Sequence, residues 1–243
     1  MIDFLKLTAY AAEYGVELDR EACEKFDAYA SLLVEWNQKM NLTAITEPDD
    51  IVLKHFADSL TAAPLLPQTP FSLIDVGTGA GFPGVPLAIL RGDMKLTLLD
   101  SLNKRLIFLK EVCDAIGIKA DPVHARAEEG GRRAELRERF DVVTARAVAV
   151  LPTLSEYCLP FAKVGGRFIA MKGPDSDAEL KAAARAVELL GGKIGAVHEL
   201  WLPKTPREGV EQQARRLFCI EKTKPTPPRF PRQSAKISKE PLG

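Results

Sequence analysis

The first 66 residues carry apolar side chains at the three-to-four spacing of amphipathic helices. The members of this pattern are Phe4, Leu5, Ala11 and Ala12, then Phe26, Tyr29, Ala30, Leu33, Val34 and Trp36. A third segment, 49–66, opens with Asp49 and Asp50 after Pro48, as the first turn of a helix does. The pattern predicts a helical N-terminal extension over residues 1–66.

From Phe71 the pattern changes to short apolar runs that alternate with helical ones. Seven runs are predicted to be strands: FSLIDV, KLTLLD, KADPVH, FDVVTA, RFIAMK, KIGAVHELWL and RRLFCIEK. The clearest helices between them are SLNKRLIFLKEVCDAIG and DAELKAAARAVELLG. Alternation of this kind predicts an α/β domain over 67–223, with a mostly parallel sheet built by right-handed crossovers. Because the last two strands follow one another without a helix, we expect a hairpin that adds one antiparallel strand.

The C-terminal tail, 224–243, has a different composition. It holds five prolines, two arginines and three lysines, with almost no aliphatic residues. We therefore expect it to form no core of its own. A disordered end and a functional basic tail are both compatible with this composition.

Composition and charge exclude several classes of protein. Thirty-three basic residues balance 33 acidic ones, so an RNA partner would have to bind a local cluster of charge. The four cysteines and three histidines are scattered and show no metal-ligand spacing, so we expect no metal site. No apolar run reaches the roughly 18 residues of a membrane span. We expect a cytoplasmic protein with reduced thiols, and nothing in the sequence demands more than a monomer.

Four glycines, at positions 77, 79, 81 and 84, follow the strand FSLIDV almost at once. Glycine is used where the backbone takes a positive φ or where a ligand approaches it closely. The turn from strand to helix at the carboxyl edge of a parallel sheet is where such ligands bind. Because a plain turn needs fewer glycines, we expect this loop to hold a cofactor.

Two cofactor patterns fit the loop. Gly79, Gly81 and Gly84 match the G-x-G-x-x-G of dinucleotide-binding proteins. Gly77, Gly79 and Gly81 match the G-x-G-x-G of S-adenosylmethionine-dependent methyltransferases. Asp75, at the end of the strand, could face the ammonium group of a methionine moiety and would repel a pyrophosphate. The methyl donor is therefore favoured, and a nicotinamide or flavin enzyme is the alternative.

Two later strand ends carry further acids. Asp100 closes the strand KLTLLD, where a carboxylate can accept both hydroxyls of a ribose, or can cap the following helix. Ala127 and Glu128 follow the third strand, where an adenine would lie. A solvated helix start is the other interpretation of Glu128.

The fourth strand leads into TARAVAVLP without the Asn/Asp-Pro-Pro-aromatic element of enzymes that methylate exocyclic amines. Cys158, in YCLP, is predicted to be a core residue and not a nucleophile. Arg146 and Lys172 follow the fourth and fifth strands, where they could bind a phosphate or a purine edge. A surface salt bridge is the alternative for both, and it is the favoured one for Lys172.

Several stretches together resemble the bacterial small-subunit ribosomal RNA (guanine-N7)-methyltransferase G family, also called glucose-inhibited division protein B. These are WNQKMNLTAI, KHFADSL, IDVGTGAGFPGVPLAI, LLDSLNKR, the ARA of TARAVA, and MKG. The resemblance covers nearly the whole chain, and the tail pieces TPPRFPR and KEPL resemble the longer members of the family. It implies a class I methyltransferase fold, Rossmann-like, whose last strand is reversed.

The resemblance also implies the residues that contact S-adenosylmethionine. They are Gly77, Phe82, Asp100, Ser101, Ala127, Glu128 and Arg146. The implied reaction is methylation of N7 in one guanosine of 16S ribosomal RNA, in the decoding-centre loop of the small subunit. The partner is either the RNA or the small subunit.

Methylation of N7 requires few catalytic groups from the protein. The nitrogen carries an in-plane lone pair and no proton, so we expect no general base and no catalytic residue beyond those that position the reactants. Lys54, Arg146, Lys172 and Arg229 are our hypothesis for the residues that hold RNA phosphates or the base. A noncatalytic RNA-binding assembly factor with a retained donor pocket is a further alternative.

Overall fold

A computed structural model describes residues 1–204 and 212–242 of the chain. In this part, seven strands form one sheet in the order β3-β2-β1-β4-β5-β7-β6. The strands are β1 (Phe71–Val76), β2 (Met94–Asp100), β3 (Ala120–His124), β4 (Phe140–Arg146), β5 (Ala162–Lys172), β6 (Gly192–Trp201) and β7 (Ala214–Lys222). Only the pairs made by β7 are antiparallel. The predicted strands, the α/β class and the reversed last strand are thereby confirmed.

The predicted N-terminal helices are present. Helices α1 (Phe4–Ala12) and α2 (Arg20–Met40) each begin after an aspartate, Asp3 and Asp19, whose side chain accepts a hydrogen bond from a first-turn amide. The segment predicted as one helix over 49–66 is divided. It consists of α3 (Pro48–Ile51), a π-helical turn (Val52–Ala57), α4 (Asp58–Leu60) and a 3₁₀ turn (Ala63–Leu65).

The remaining helices connect the strands or follow them. They are α5 (Gly84–Leu90), α6 (Asn103–Ala115), α7 (Ala127–Gly130), α8 (Leu151–Cys158), α9 (Asp177–Leu189) and α10 (Ser234–Lys239). Strand β1 pairs with both β2 and β4, so the strand order reverses at β1. Ligands bind in the crevice at such a reversal, beyond the carboxyl ends of the strands. The glycine run lies at this point.

Apolar side chains pack on both faces of the sheet. One face, which includes Leu73 and Leu96, shares a core with the N-terminal helices, and α2 packs against α5 and α6. The opposite face, which includes Ile74 and Val143, packs with α8 and α9. Most apolar side chains of residues 1–66 are therefore buried against the sheet layer, whereas Leu5, predicted to lie on the apolar face of the first helix, is 83% exposed. The division of the chain at 66 and at 223 stays a prediction.

The C-terminal tail is packed and not a free end, as far as the structure describes it. Phe230 is 4% exposed and Ile237 is fully buried. The disordered interpretation is therefore wrong for 224–242, while Gly243 lies outside the described residues. Composition misled the sequence analysis because two apolar anchors and a few charged contacts are enough to fix a proline-rich segment.

The N-terminal helices also hold the glycine loop directly. Tyr29 of α2 is fully buried, and its hydroxyl donates a hydrogen bond to the carbonyl oxygen of Ala80. A Cβ atom added to Gly81 would lie 2.5 Å from the Tyr29 hydroxyl and 2.7 Å from Leu109 Cδ2. The close approach of α2 and α6 therefore requires glycine at this position.

We predict that Gly81→Ala destabilises the protein more than Gly117→Ala. Both glycines have a positive φ, but a Cβ on Gly117 would meet no atom within 4 Å. Gly117→Ala should cost about 1–2 kcal/mol for the backbone conformation alone. Gly81→Ala should cost about 1–3 kcal/mol more, because the new methyl group overlaps Tyr29 and Leu109. Equal free energies of unfolding in denaturant titrations would contradict the packing of α2 on this loop.

Candidate active site

Asp75 is fully buried beneath the glycine loop. Its carboxyl group accepts hydrogen bonds from Thr78 Oγ1 (2.7 Å), Gly84 N (3.1 Å) and Thr144 Oγ1 (3.0 Å). Burial raises the pKa of Asp75, and these three donors act in the opposite direction. The expectation that Asp75 faces the amino group of a donor is wrong, because the carboxyl group points under α5 and ties the loop to β4.

A cavity of about 330 Å³ lies beyond the ends of β1, β2 and β3. Five of the predicted donor contacts line it: Gly77, Asp100, Ser101, Ala127 and Glu128. The structure thus brings together residues from three separate strand ends. This is the arrangement that an adenosine-containing ligand needs, since each strand end can contact a different part of it. We refer to it as the donor cavity.

Asp100 is the best-positioned acid of the donor cavity. One oxygen accepts from Gly79 N (3.0 Å) and Arg105 Nη1 (3.2 Å), and the other accepts from Leu102 N (2.8 Å). It therefore fixes the glycine loop and the residue before α6 while its side chain stays in the cavity wall. Glu128 lies in the first turn of α7 but is only 8% exposed, so the solvated interpretation is wrong.

A second cavity, of about 520 Å³, adjoins the donor cavity. It contains three of the predicted substrate residues, Lys54, Arg146 and Lys172. Arg229, the fourth, lies elsewhere, on the C-terminal segment, where its carbonyl oxygen accepts from Arg132 Nη2. We call the second space the substrate cavity. The prediction that Arg146 touches the donor stays a prediction, since its side chain lines this cavity.

Arg146 is held by the segment that precedes the sheet. Its Nη1 donates to Asp58 Oδ2 (2.9 Å) and to the carbonyl oxygen of Lys54 (3.2 Å). The second oxygen of Asp58 accepts from Arg215 Nε on β7 (2.9 Å). Asp58 is 4% exposed, so it brings two guanidinium groups together in a place from which water is largely excluded.

His55 completes the contacts of Arg146. Its Nδ1 lies 3.3 Å from Arg146 Nη2, and its Nε2 lies 2.9 Å from Thr43 Oγ1. Burial, together with the charge of Arg146, lowers the pKa of His55 to about 3. The imidazole is therefore neutral near pH 7, with Nδ1 free of a proton to accept from Arg146. The π-helical turn that carries His55 is of a kind found frequently at functional sites.

Sequence reasoning did not select His55, Asp58 or Arg215. Two of them lie in KHFADSL, three positions apart, where a single helical turn places them on one face. This spacing was the sequence signal that could have identified His55 and Asp58. Arg215 gave none, because its partner lies 157 residues earlier in the chain.

Phe82 is enclosed by aromatic and cationic groups. The His55 ring stacks on it at 4.4 Å, Tyr29 stacks at 5.3 Å, and the Arg146 guanidinium lies 5.0 Å from its centroid. Only 5% of Phe82 is exposed to solvent. Phe82 is not among the described residues that line the two cavities. Its side chain therefore packs between the N-terminal helices and the loop, and a donor contact through Phe82 stays a prediction.

Two lysines of the substrate cavity are paired. Lys172 Nζ lies 2.8 Å from Glu179 Oε2 and donates to the carbonyl oxygen of Ala149. Lys54 Nζ lies 3.2 Å from Asp50 Oδ2. The favoured salt bridge of Lys172 is present, although the side chain is only 11% exposed and so does not lie on the open surface.

Ala147 belongs to the walls of both cavities. It has a φ of +56°, an uncommon value for a residue with a side chain. The next residue, Val148, lines the donor cavity and packs against Gly77. The two cavities therefore share this short segment after β4 as part of their walls.

Among the described residues, no group of three or more His, Cys, Asp or Glu side chains could hold a metal ion. No helix within the same ranges is long and apolar enough to cross a membrane. The four cysteines are buried and unpaired. Burial raises the pKa of Cys158 well above its ordinary value, in agreement with the core position predicted for it.

The amino-acid sequence of this chain is similar to a known protein family and to known proteins. Residues 22–205 match the family model described as rRNA small subunit methyltransferase G. The ribosomal RNA small subunit methyltransferase G of Acetivibrio thermocellus is 50% identical over 233 residues, which cover 96% of this chain and 93% of that protein. The protein of the same name from Lactobacillus johnsonii is 47% identical over 95% of this chain and 96% of its own length.

A third comparison concerns the fold. The crystal structure of the precorrin-6y C5,15-methyltransferase from Geobacter metallireducens superposes with a TM-score of 0.53 and 16% identity, covering 74% of this chain and 90% of that one. Sequence and fold agree, and neither supports a nicotinamide-dependent oxidoreductase. The chain belongs to the rRNA small subunit methyltransferase G family.

Proposed function

We propose that this protein transfers the methyl group of S-adenosylmethionine to N7 of one guanine in 16S ribosomal RNA. The observation that carries the proposal is the pair of neighbouring cavities that share Ala147 in their walls. One is lined by the two acids and the glycine expected around an adenosine, and the other mostly by charged and polar side chains. Relatives at 50% and 47% identity, both named ribosomal RNA small subunit methyltransferase G, support the same reaction.

The donor cavity fits S-adenosylmethionine by its chemistry. Asp100 presents a carboxylate at the end of β2, where it can accept the ribose hydroxyls. Gly77 leaves room for the ligand, since a Cβ there would come within 2.9 Å of Val148 Cγ2 and narrow the cavity. Glu128 offers an acceptor for an exocyclic amine. When bound, the donor supplies an electrophilic methyl group on a sulfonium.

No proton has to leave N7 when it attacks, so the protein needs no general base. His55 is neutral and close to the substrate cavity, but a base there would have no proton to remove. We assign it to positioning Arg146 instead. The main contribution of the protein is to hold nitrogen, methyl carbon and sulfur in line, an effect that can reach roughly 7–11 kcal/mol.

Arg146 can contact guanine in only a restricted way. A guanidinium that bonded both O6 and N7, as in many DNA complexes, would occupy the lone pair that must attack the methyl group. We therefore propose that Arg146 contacts O6 or an adjacent phosphate. Lys54 and Arg229 are proposed to bind phosphates, and Lys172 to support the cavity wall through Glu179.

The identity of the target guanosine comes from the family resemblance, which implies the decoding-centre loop of the small subunit. We propose that the enzyme acts in the cytoplasm as a monomer, on 16S RNA or on the small subunit that contains it. The division into a helical extension, a methyltransferase domain and a docked C-terminal segment is proposed on the same basis.

A reconstituted methyl-transfer reaction tests the proposal. Small subunits or 16S RNA lacking the modification should gain one 7-methylguanosine when incubated with the protein and S-adenosylmethionine, as detected by mass spectrometry of digested nucleosides. S-Adenosylmethionine at 100 times its Kd should also stabilise the protein by about 2.7 kcal/mol, and NADH should not. Binding of the donor without any methylated product, on either RNA substrate, would favour the noncatalytic assembly factor.

We predict that Arg146→Lys lowers the rate of methyl transfer at least tenfold. Lysine keeps the positive charge but cannot span Asp58, His55 and the ring of Phe82 as a planar guanidinium does. Alanine is a poorer test, because it would leave the buried Asp58 with one partner fewer and lower stability as well. The matched control is Arg91→Lys, which loses a similar pairing with Asp93 far from the site. Equal rates for the two variants would contradict the assignment.

A further inference from the structure

The segment after β7 returns across the domain to the donor cavity. Its first amides, those of Thr223 and Lys224, both donate to the carbonyl oxygen of Gly191, at 2.9 Å. A Cβ on Gly191 would overlap the carbonyl oxygen of Lys224, so the chain passes in direct contact with the turn before β6. The segment is fixed from its first residue.

Backbone groups of this segment form hydrogen bonds with charged side chains of the domain. Arg137 donates to the carbonyl oxygens of Phe230 (2.8 Å) and Thr226 (2.7 Å). Glu138 accepts from the amide of Thr226 at 2.6 Å and pairs with Lys222, which is 1% exposed. Burial lowers the pKa of Lys222 to about 8. Lys222 is buried and Arg137 and Glu138 are partly buried, so all three need partners, and the C-terminal segment supplies several of them.

Arg232 makes the strongest of these contacts. Glu156 of α8 is completely buried, and it accepts from Arg232 N (2.7 Å), Nε (2.9 Å) and Nη2 (2.7 Å). The pairing is bidentate, which fixes direction as well as distance. Because Arg232 lies two residues before the start of α10, this contact helps to set where α10 lies on α8.

The result is that Ser234, the first residue of α10, forms part of the donor-cavity wall. It lines the same space as Asp100, Ser101 and Glu128, together with Tyr157 of α8. Ile237, one turn later, is fully buried and anchors the helix. A segment that the composition suggested as a loose tail thus reaches the site where the donor is expected.

We propose that the C-terminal segment is a structural part of the donor site, with Ser234 as a further donor-binding residue at the adenosine end. The proposal rests on the function proposed above. The segment closes one side of the cavity, limits access of water to the bound adenosine and offers a hydroxyl group to it. Its exposed basic residues, Lys236 and Lys239, lie on the same helix but do not line the cavity. A role in RNA binding alone is therefore the competing outcome.

Two matched variants of the full chain test the proposal. Ser234→Phe places a ring in the cavity wall, whereas Ser238→Phe places the same ring on an exposed position of the same helix. We expect Ser234→Phe to weaken binding of S-adenosylhomocysteine at least tenfold in calorimetric titrations, with the Ser238→Phe value equal to that of the unmodified protein. Equal donor affinities for both variants, or a loss confined to RNA affinity, would overturn the proposal.

If Ser234→Phe folds poorly, hydrogen exchange of the unmodified protein provides a second test. Addition of S-adenosylhomocysteine should slow exchange in the peptide that covers 233–239 as well as in the glycine loop. Protection of the loop without protection of 233–239 would overturn the role of the segment and leave the proposed function intact. Failure of the unmodified protein to bind the ligand at all would instead contradict the proposed function.

Discussion

The arrangement of the glycine loop, α5 and β4 depends on one buried carboxyl group. Asp75 lies fully out of water at the end of β1, so it must find its partners inside the protein. The three groups that donate to it come from the glycine loop, from the first turn of α5 and from β4. These elements surround the point where the strand order reverses. The donor cavity and the substrate cavity both depend on this arrangement, since Gly77 belongs to one and the end of β4 to the other.

The helical extension supports the same region from the other side. Tyr29 holds Ala80, and the Phe82 ring packs between Tyr29 and His55. Asp58, from the same N-terminal part, orients Arg146 at the end of β4. Residues predicted to form a separate extension thus contact the glycine loop and the end of β4 directly. The fold alone is shared with the precorrin methyltransferase at 16% identity, and a shared fold does not determine function.

The strands and the position of the glycine loop were predictable from sequence because their signals are local: apolar runs of strand length and glycines directly after one of them. The direction of Asp75 was not recognised, although alternation along β1 places it on the face of Leu73 and away from the cavity lined by Val76. The Asp58–Arg215 pair could not be predicted, since it joins distant segments of the chain. The docked C-terminal segment was missed because its anchors are few and their partners lie far away in the sequence, as for Arg232 and Glu156, so composition gives no sign of them.

The central claim is that Asp75 acts by fixing the glycine loop and does not contact the donor. The most direct measurement compares Asp75→Asn with the unmodified protein for two ligands, S-adenosylmethionine and 5′-methylthioadenosine, which lacks the amino-acid portion. If Asp75 shapes the loop, the substitution should weaken both ligands by similar factors. A loss confined to S-adenosylmethionine, with methylthioadenosine binding unchanged, would show that the carboxyl group contacts the amino group of the donor and would contradict the account.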